Sequence, residues 1–238
     1  MKTLVLYVFH IYNNRVQYFI DNAIFYDKNI DFIMISNDKN NKFEVPYYVK
    51  TMYRDNIGFD FGGWSDALLS NDLYKKYDHF IFANSSIIGP FLHPNTNEKW
   101  VYAYLNGLTD NIKLFGSTIN TCRTPTTKSH VQSYIFCMNK ETLEYLISCG
   151  IFSMTVYENH IHGAVDNREI PMSLFLLKKG WNIGSLLPYY KDVDFTFSNK
   201  TPEQYNIEWL DDIMCLRYRN YLWTDNQLIF IKGNRMGC

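Results

Sequence analysis

The stretch "YYVKTMYRDNIGFDFGGWSDALLSNDLYKKYDHFIFANSS" (47–86) packs two apolar runs around one helical pattern. Residues 47–54 read as a strand, "GWSDALLSNDLYKKY" (63–77) as a helix, and "DHFIFANSSIIGPF" (78–91) contains a further strand. Strand, helix and strand in succession are the unit of a parallel sheet covered by helices. The same alternation extends toward the N-terminus. "TLVLYVF" (3–9) reads as a first strand, "RVQYFIDNAIFY" (15–26) as a helix with apolar residues at helical spacing, and "DFIMISND" (31–38) as a second strand. The prediction is an α/β fold with a Rossmann-like, mostly parallel central sheet flanked by helices. Three strands then end in polar residues, "SND", "RDNIGFD" and "ANSS". In open α/β sheets ligands bind at the carboxyl ends of the strands, so these ends are expected to converge on one crevice.

Toward the C-terminus the pattern is less regular. Helices are expected at "KWVYAYLNGLT" (99–109), "KETLEYLISCG" (140–150) and "DNREIPMSLFLLKKG" (166–180), the last with Asn167 as cap, Pro171 in the first turn and Gly180 past the end. Strands are expected at "IKLFGSTIN" (112–120), "VQSYIFCM" (131–138), "WNIGSLL" (181–187) and "QLIFIKG" (227–233), while 188–226 is rich in Tyr, Asp and Asn and fits neither period. Without a repeat or a linker, residues 1–238 read as one domain.

Composition excludes several function classes. With 47% hydrophobic residues in 238, the chain can bury a full core, and 23 Lys+Arg against 24 Asp+Glu leave no global field for nucleic acid or an anionic membrane. Five scattered cysteines, with no C-x-x-C, fit a reducing cytoplasm better than a disulfide framework or a zinc site. The N-terminal apolar run is broken by His10 and Asn13 and reads as a buried strand, and no stretch reaches membrane-span length.

Of only 12 glycines, Gly58, Gly62 and Gly63 surround Asp60 in "NIGFDFGGW". Glycines after a strand expose backbone N–H groups, and Asn, Asp and Ser side chains hold ribose hydroxyls or a base edge, which suits a nucleotide. The alternative is a tight turn that needs small residues for packing alone. A phosphate-cradling G-x-x-x-x-G-K-[ST] is absent, and no G-x-G-x-x-G follows the first strand. The donor-side candidates at the strand ends are Phe9, His10, Asn37, Asn56, Gly58, Asp60, Asn84, Ser85 and Ser86.

"NIGFDFGGW", "YDHFIFANSSIIGPF", "NIKLFGSTIN", "HVQSYIFCM", "REIPMSLFLLKKGWNIGSLL" and "LIFIKGNR" occur in an order and spacing that resemble the rhamnan synthesis protein F-like glycosyltransferases and their relatives in eukaryotes and large DNA viruses. The resemblance runs from about residue 3 to residue 235 and is most specific in "NIGFDFGGW" and "NSSIIGPF". It implies a GT-A-type fold, with a half of about 1–95 binding a UDP- or dTDP-type nucleotide-sugar and a half of about 96–238 shaping a glycan acceptor site. The sugar would be rhamnose or another deoxysugar, and these residues could form one domain of a longer enzyme.

Many GT-A enzymes carry Asp-x-Asp after the fourth strand to hold Mn²⁺ or Mg²⁺, whereas this chain has Asn84-Ser85-Ser86. No metal ligand set is therefore assigned, and Lys232 and Arg235 in "IFIKGNR", placed near the donor by the resemblance, are expected to face the diphosphate instead. Glu169 is the first candidate for the base that deprotonates the acceptor, with Asp166 second, and His130 and Gln132 are expected to line the acceptor pocket. His160 and His162 form a pair without a third ligand and are left out. The alternative function is a catalytically inactive carbohydrate- or nucleotide-binding module with the same fold, suggested by the missing Asp-x-Asp and by 19 Tyr and 17 Phe.

Overall fold

A computed structural model describes residues 1–211, 213–215 and 223–235, and the side chain of Arg235 lies outside the described residues. In chain order come β1 (Thr3–Phe9), α1 (Asn14–Ala23), β2 (Ile30–Ser36), β3 (Lys50–Tyr53), α2 (Phe59–Leu69), β4 (His79–Asn84) and β5 (Ile87–Ile88). Then follow α3 (Trp100–Leu105), β6 (Ile112–Gly116), β7 (Ile119–Asn120), α4 (Pro125–Lys128), β8 (His130–Val131), β9 (Ile135–Asn139) and α5 (Lys140–Ser148). The last elements are α6 (Ile161–Ala164), a π-helical segment (Val165–Glu169), α7 (Ile170–Lys178), β10 (Asn182–Ser185), α8 (Asp225–Leu228) and β11 (Ile231–Lys232).

Among the described residues the main sheet has seven strands in the order β10-β6-β9-β4-β1-β2-β3. β3, β2, β1 and β4 run parallel, β9 is antiparallel to both β4 and β6, and β10 is parallel to β6. The chain leaves β1 to build β2 and β3 on one side and returns to place β4 on the other. That reversal is the switch point at which such sheets open a crevice. β1 is buried along its whole length, as a strand covered on both faces must be. On α1 the buried residues Val16, Phe19, Ile20 and Ala23 recur at helical spacing, and Asn13 caps the start by accepting from the Arg15 and Val16 amides. An aromatic stack, with ring centroids of Phe82 on β4 and Phe136 on β9 4.7 Å apart, joins the parallel part of the sheet to the antiparallel β9.

Several sequence boundaries shift. The helix expected over 63–77 begins at Phe59 and ends at Leu69, placing Asp60, Gly62 and Gly63 inside its first turns. It stops because Asn71 and Asp72 enter the left-handed region, φ +52° and +53°, which their short polar side chains tolerate. The strand expected over 112–120 splits into β6 and β7, since Ser117 turns its hydroxyl to Tyr104 and the Leu228 carbonyl. The strand expected over 131–138 divides into β8 and β9. Of 227–233 only Ile231–Lys232 is strand, because Gln227 closes a capping box with Thr224 and begins nothing extended. No described helix is long and apolar enough to cross a membrane.

Candidate functional site

The opening motif is built by steric demand. Gly58 caps α2 with φ +74°, a region that side chains rarely adopt. A Cβ on Gly62 would stand 2.1 Å from the Ile57 carbonyl, and the Gly62 amide is already donated to Gly58 O at 2.8 Å. These glycines therefore let the chain fold tightly into a helix, and the Gly62 N–H is not offered to a ligand. At Gly62 this corrects the expectation that the glycines expose amides.

The tight start aims Asp60 at the end of β4, where Asn84 Nδ2 donates to Asp60 Oδ2 at 2.9 Å. Burial pushes the Asp60 carboxyl up to about 6 against that hydrogen bond, Glu169 adds to the rise through its charge, and Lys232 opposes it. Asn84 Oδ1 accepts from the Ser86 amide at 3.0 Å and from the Ser86 hydroxyl. The Ser85 amide donates to Val8 O at 3.0 Å, locking the end of β4 against β1 at the switch point.

Asn37 is held by a side chain that sequence reading did not single out. Arg54 is buried and donates to Asn37 Oδ1 at 2.7 Å, to Ile57 O at 2.6 Å and to Asp66 Oδ2 at 2.7 Å. Asn37 Nδ2 in turn donates to Phe59 O at 3.0 Å and to Asn56 Oδ1 at 3.3 Å. Tyr157 donates to the other Asp66 oxygen at 2.6 Å, so the network reaches across to a loop of the second half. The one available signal was a cation directly before the motif at a strand end. His10 is exposed and donates from Nδ1 to Asn37 O at 3.0 Å. Phe9 is fully buried against Phe43, so its side chain belongs to the core and only its backbone borders the crevice.

In the second half, Glu169 ends the π-helical segment, a distortion that often marks functional positions. Its carboxylate accepts from the Ser133 amide at 2.9 Å and from the Ser133 hydroxyl, and lies 3.5 Å from His130 Nε2. His130 is buried and donates from Nδ1 to Lys128 O at 2.6 Å, which fixes the ring. Burial raises the Glu169 carboxyl, but contacts with His130, Ser133 and Lys232 together outweigh it and hold it at about 2. Of the two carboxylates, the expected base is thus the weaker proton acceptor. Asp166 is exposed and, among the described residues, has no hydrogen bond or ion pair with this cluster. Gln132 is buried and accepts from Thr118 Oγ1 at 2.7 Å, so its amide oxygen is committed to the interior. His160 accepts from the Gly163 amide as a helix cap, and His162 is exposed.

Lys232 reaches the cluster through β11, which pairs antiparallel with β5 and sets Lys232 opposite Ile87. The Gly233 amide donates to Ser86 O at 2.7 Å and closes the junction. The charges of Asp60, Glu169 and Lys232 act on one another, so groups from α2, from the segment before α7 and from β11 share one place. The residues at the end of β4 do not fit a divalent cation. Asn84 Oδ1 is occupied by Ser86, Asp60 accepts from Asn84, and among the described residues no three His, Cys, Asp or Glu side chains are grouped to hold a metal.

The sequence model of the rhamnan synthesis protein F family matches residues 32–210. Virulence protein VirA of Vibrio anguillarum (strain ATCC 68554 / 775) is 28% identical over 140 residues, covering 57% of this chain and 41% of VirA. A VirA sequence from Vibrio anguillarum without a named strain gives the same figures. The chain thus matches well under half the length of these curated relatives.

Proposed function

The chain belongs to the rhamnan synthesis protein F family, and on that premise we propose that it is a glycosyltransferase that moves a sugar from a nucleotide-sugar donor to a glycan acceptor with inversion. The observation that carries the reading is the Asp60–Asn84 hydrogen bond within the field of Glu169 and Lys232. It gathers polar groups from both halves at the β1–β4 switch point, where an α/β sheet takes a ligand. The strand order, with the antiparallel β9 between β4 and β6, supports a GT-A-type arrangement.

In this reading Asn56 and Asp60 hold the nucleoside, and Asn37 and Asn84, whose own oxygens and amides are engaged with Arg54, Phe59, Asp60 and Ser86, fix them in place. The acceptor oxygen bonds to the anomeric carbon as the bond from that carbon to the diphosphate breaks, and the electron pair leaves with the diphosphate. Lys232 stabilises the charge that develops there. Glu169, ionised throughout the neutral range, takes the acceptor proton as the oxygen attacks. The family supports rhamnose or another deoxysugar as the transferred group.

A second reading, a binding module without turnover, is favoured by the low basicity of Glu169. A thermal-shift screen of UDP-, dTDP- and GDP-sugars tests the first step. A donor at a hundred times its Kd adds about 2.7 kcal/mol of stability, roughly 5–10 °C for a domain of this size. Release of nucleoside diphosphate from the stabilising donor in the presence of glycan acceptors then separates the enzyme from the module. No shift with any nucleotide-sugar sinks the enzyme and the nucleotide-binding module, and leaves a carbohydrate-binding module as the reading.

A further inference from the structure

Sequence reading assigned the positive charge of the crevice to the C-terminal strand alone. A second cation stands against that strand from the other end of the chain. Arg15, in the first turn of α1, donates from Nε to Ser85 O at 2.8 Å. Its aliphatic stem lies on Gly233, where a Cβ would come within 3.1 Å of Arg15 Cδ. Gly233 follows Lys232 directly and donates its amide to Ser86 O at 2.7 Å. Arg15 and Lys232 are thus seated on the same two segments, residues 85–87 and 232–233, at the mouth of the switch point.

Among the described residues no carboxylate lies within ion-pair distance of Arg15 or of Lys232. Among the described residues only Nε of the Arg15 guanidinium has a partner, which leaves its two terminal nitrogens as a fork of the kind that suits phosphate oxygens. Tyr7 is 1% exposed, and its hydroxyl has no hydrogen-bond partner among the described residues. A buried hydroxyl without a partner is costly. The Tyr7 hydroxyl feels the charges of both Arg15 and Asp60, so it lies near both. The first amides of α1 are already taken by Asn13, so the attraction for an anion comes from the side chain and not from the helix end.

We propose that Arg15 is the second cation of a diphosphate cradle, facing Lys232 across the junction of residues 85–87 and 232–233, and that it binds a phosphate oxygen of the nucleotide-sugar. The proposal rests on the glycosyltransferase reading for the identity of the diphosphate, though the anion site itself does not. Asp60 and Glu169 border the cradle and oppose any anion that lacks its cations. Two cations are therefore needed where one would be cancelled, and the developing charge of the leaving group is shared between them.

The test is calorimetric titration of the whole chain, at low salt, with inorganic pyrophosphate, with UDP, dTDP and GDP, and with the matching nucleosides. Arg15→Gln keeps a donor for Ser85 O and removes the charge. It is expected to weaken pyrophosphate and the bound nucleoside diphosphate about ten- to a hundredfold while leaving the nucleoside unchanged. Arg15→Lys should recover part of the loss. Equal weakening of nucleoside and diphosphate would make Arg15 a structural residue only, and unchanged diphosphate binding would overturn the proposal while leaving the glycosyltransferase reading intact. Wild-type protein that binds pyrophosphate but no nucleoside diphosphate would keep the cradle and remove that reading. As a measurement independent of any variant, an arginine-specific dicarbonyl should modify Arg15 in the wild-type protein, and pyrophosphate should block it. Modification that pyrophosphate does not slow counts against the cradle.

Discussion

Asp60 and Asn84, 24 residues apart, meet through a 2.9 Å hydrogen bond that ties the first turn of α2 to the carboxyl end of β4. The bond does not compensate for the burial of the carboxyl, which titrates at about 6 rather than near 4. The folded protein therefore holds this proton more tightly than the unfolded chain does. Its contribution to stability is full below about pH 4 and is lost as pH rises through about 6. Asp60→Asn removes that loss and still offers an oxygen to Asn84. Urea unfolding should show the variant more stable by up to about 2–3 kcal/mol at pH 7 and nearly equal at pH 3.5. The same variant should bind donor nucleotide more weakly. A variant as stable as wild type at both pH values would mean that Asp60 carries no strained charge.

Glu169 behaves in the opposite sense, its carboxyl being held at about 2. Its stabilising contribution is present above about pH 4.5 and is lost as pH falls toward 2. Glu169→Gln keeps shape and removes basicity. Turnover should fall by roughly two to four orders of magnitude while donor binding survives. His130→Gln takes away the imidazole that faces the carboxylate, so the acid limb of the pH–rate profile should move to higher pH. Full turnover in Glu169→Gln, with Asp166→Asn inactive, would transfer the role to Asp166.

The alternation of apolar runs and helical patterns made the parallel half of the sheet legible, because each element there carries its own period. Asp60 and Asn84 were legible as site candidates for the same reason, since each sits at a strand end. The Arg54 network was not. It depends on pairs such as Tyr157 with Asp66, 91 residues apart, and local spacing carries no trace of such contacts. The glycines of the motif misled in one respect, because a close carbonyl at Ile57 and an exposed amide demand the same residue type. Arg15 reads locally as an ordinary first-turn residue of an amphipathic helix, and only the return of the chain at Gly233 gives it a place beside Lys232.

Gly62→Ala measures how tightly the motif is folded. The added Cβ would lie 2.1 Å from Ile57 O, a backbone atom held in place by Arg54. Gly150 is a useful contrast, since a Cβ there meets nothing within 4 Å and only the φ of +79° opposes it. Gly150→Ala should cost about 1–2 kcal/mol, the penalty of the left-handed conformation. Gly62→Ala should cost more than about 3 kcal/mol or prevent folding, as a clash that backbone must absorb. Urea midpoints of the two variants decide it, and equal costs would mean that the turn at Ile57 yields easily.

Lys232 should matter more to the donor than a divalent metal does. Asn84 and Ser86 supply neutral oxygens already engaged with each other, whereas Lys232 lies in the field of both carboxylates and has no ion-pair partner among the described residues. A charge-assisted contact to a phosphate contributes about 1.5–3 kcal/mol, so Lys232→Ala should weaken the donor by roughly one to two orders of magnitude. The rival account has Asp60 holding a cation from outside the usual motif, with its carboxyl returned to the ionised state by the metal's charge. Titrating nucleoside diphosphate into metal-stripped protein and then adding Mn²⁺ separates the two. If the lysine carries the charge, affinity is already high before the metal and falls in Lys232→Ala. If the metal carries it, affinity rises steeply on addition, Asp60→Asn abolishes the rise, and the loss in Lys232→Ala is small.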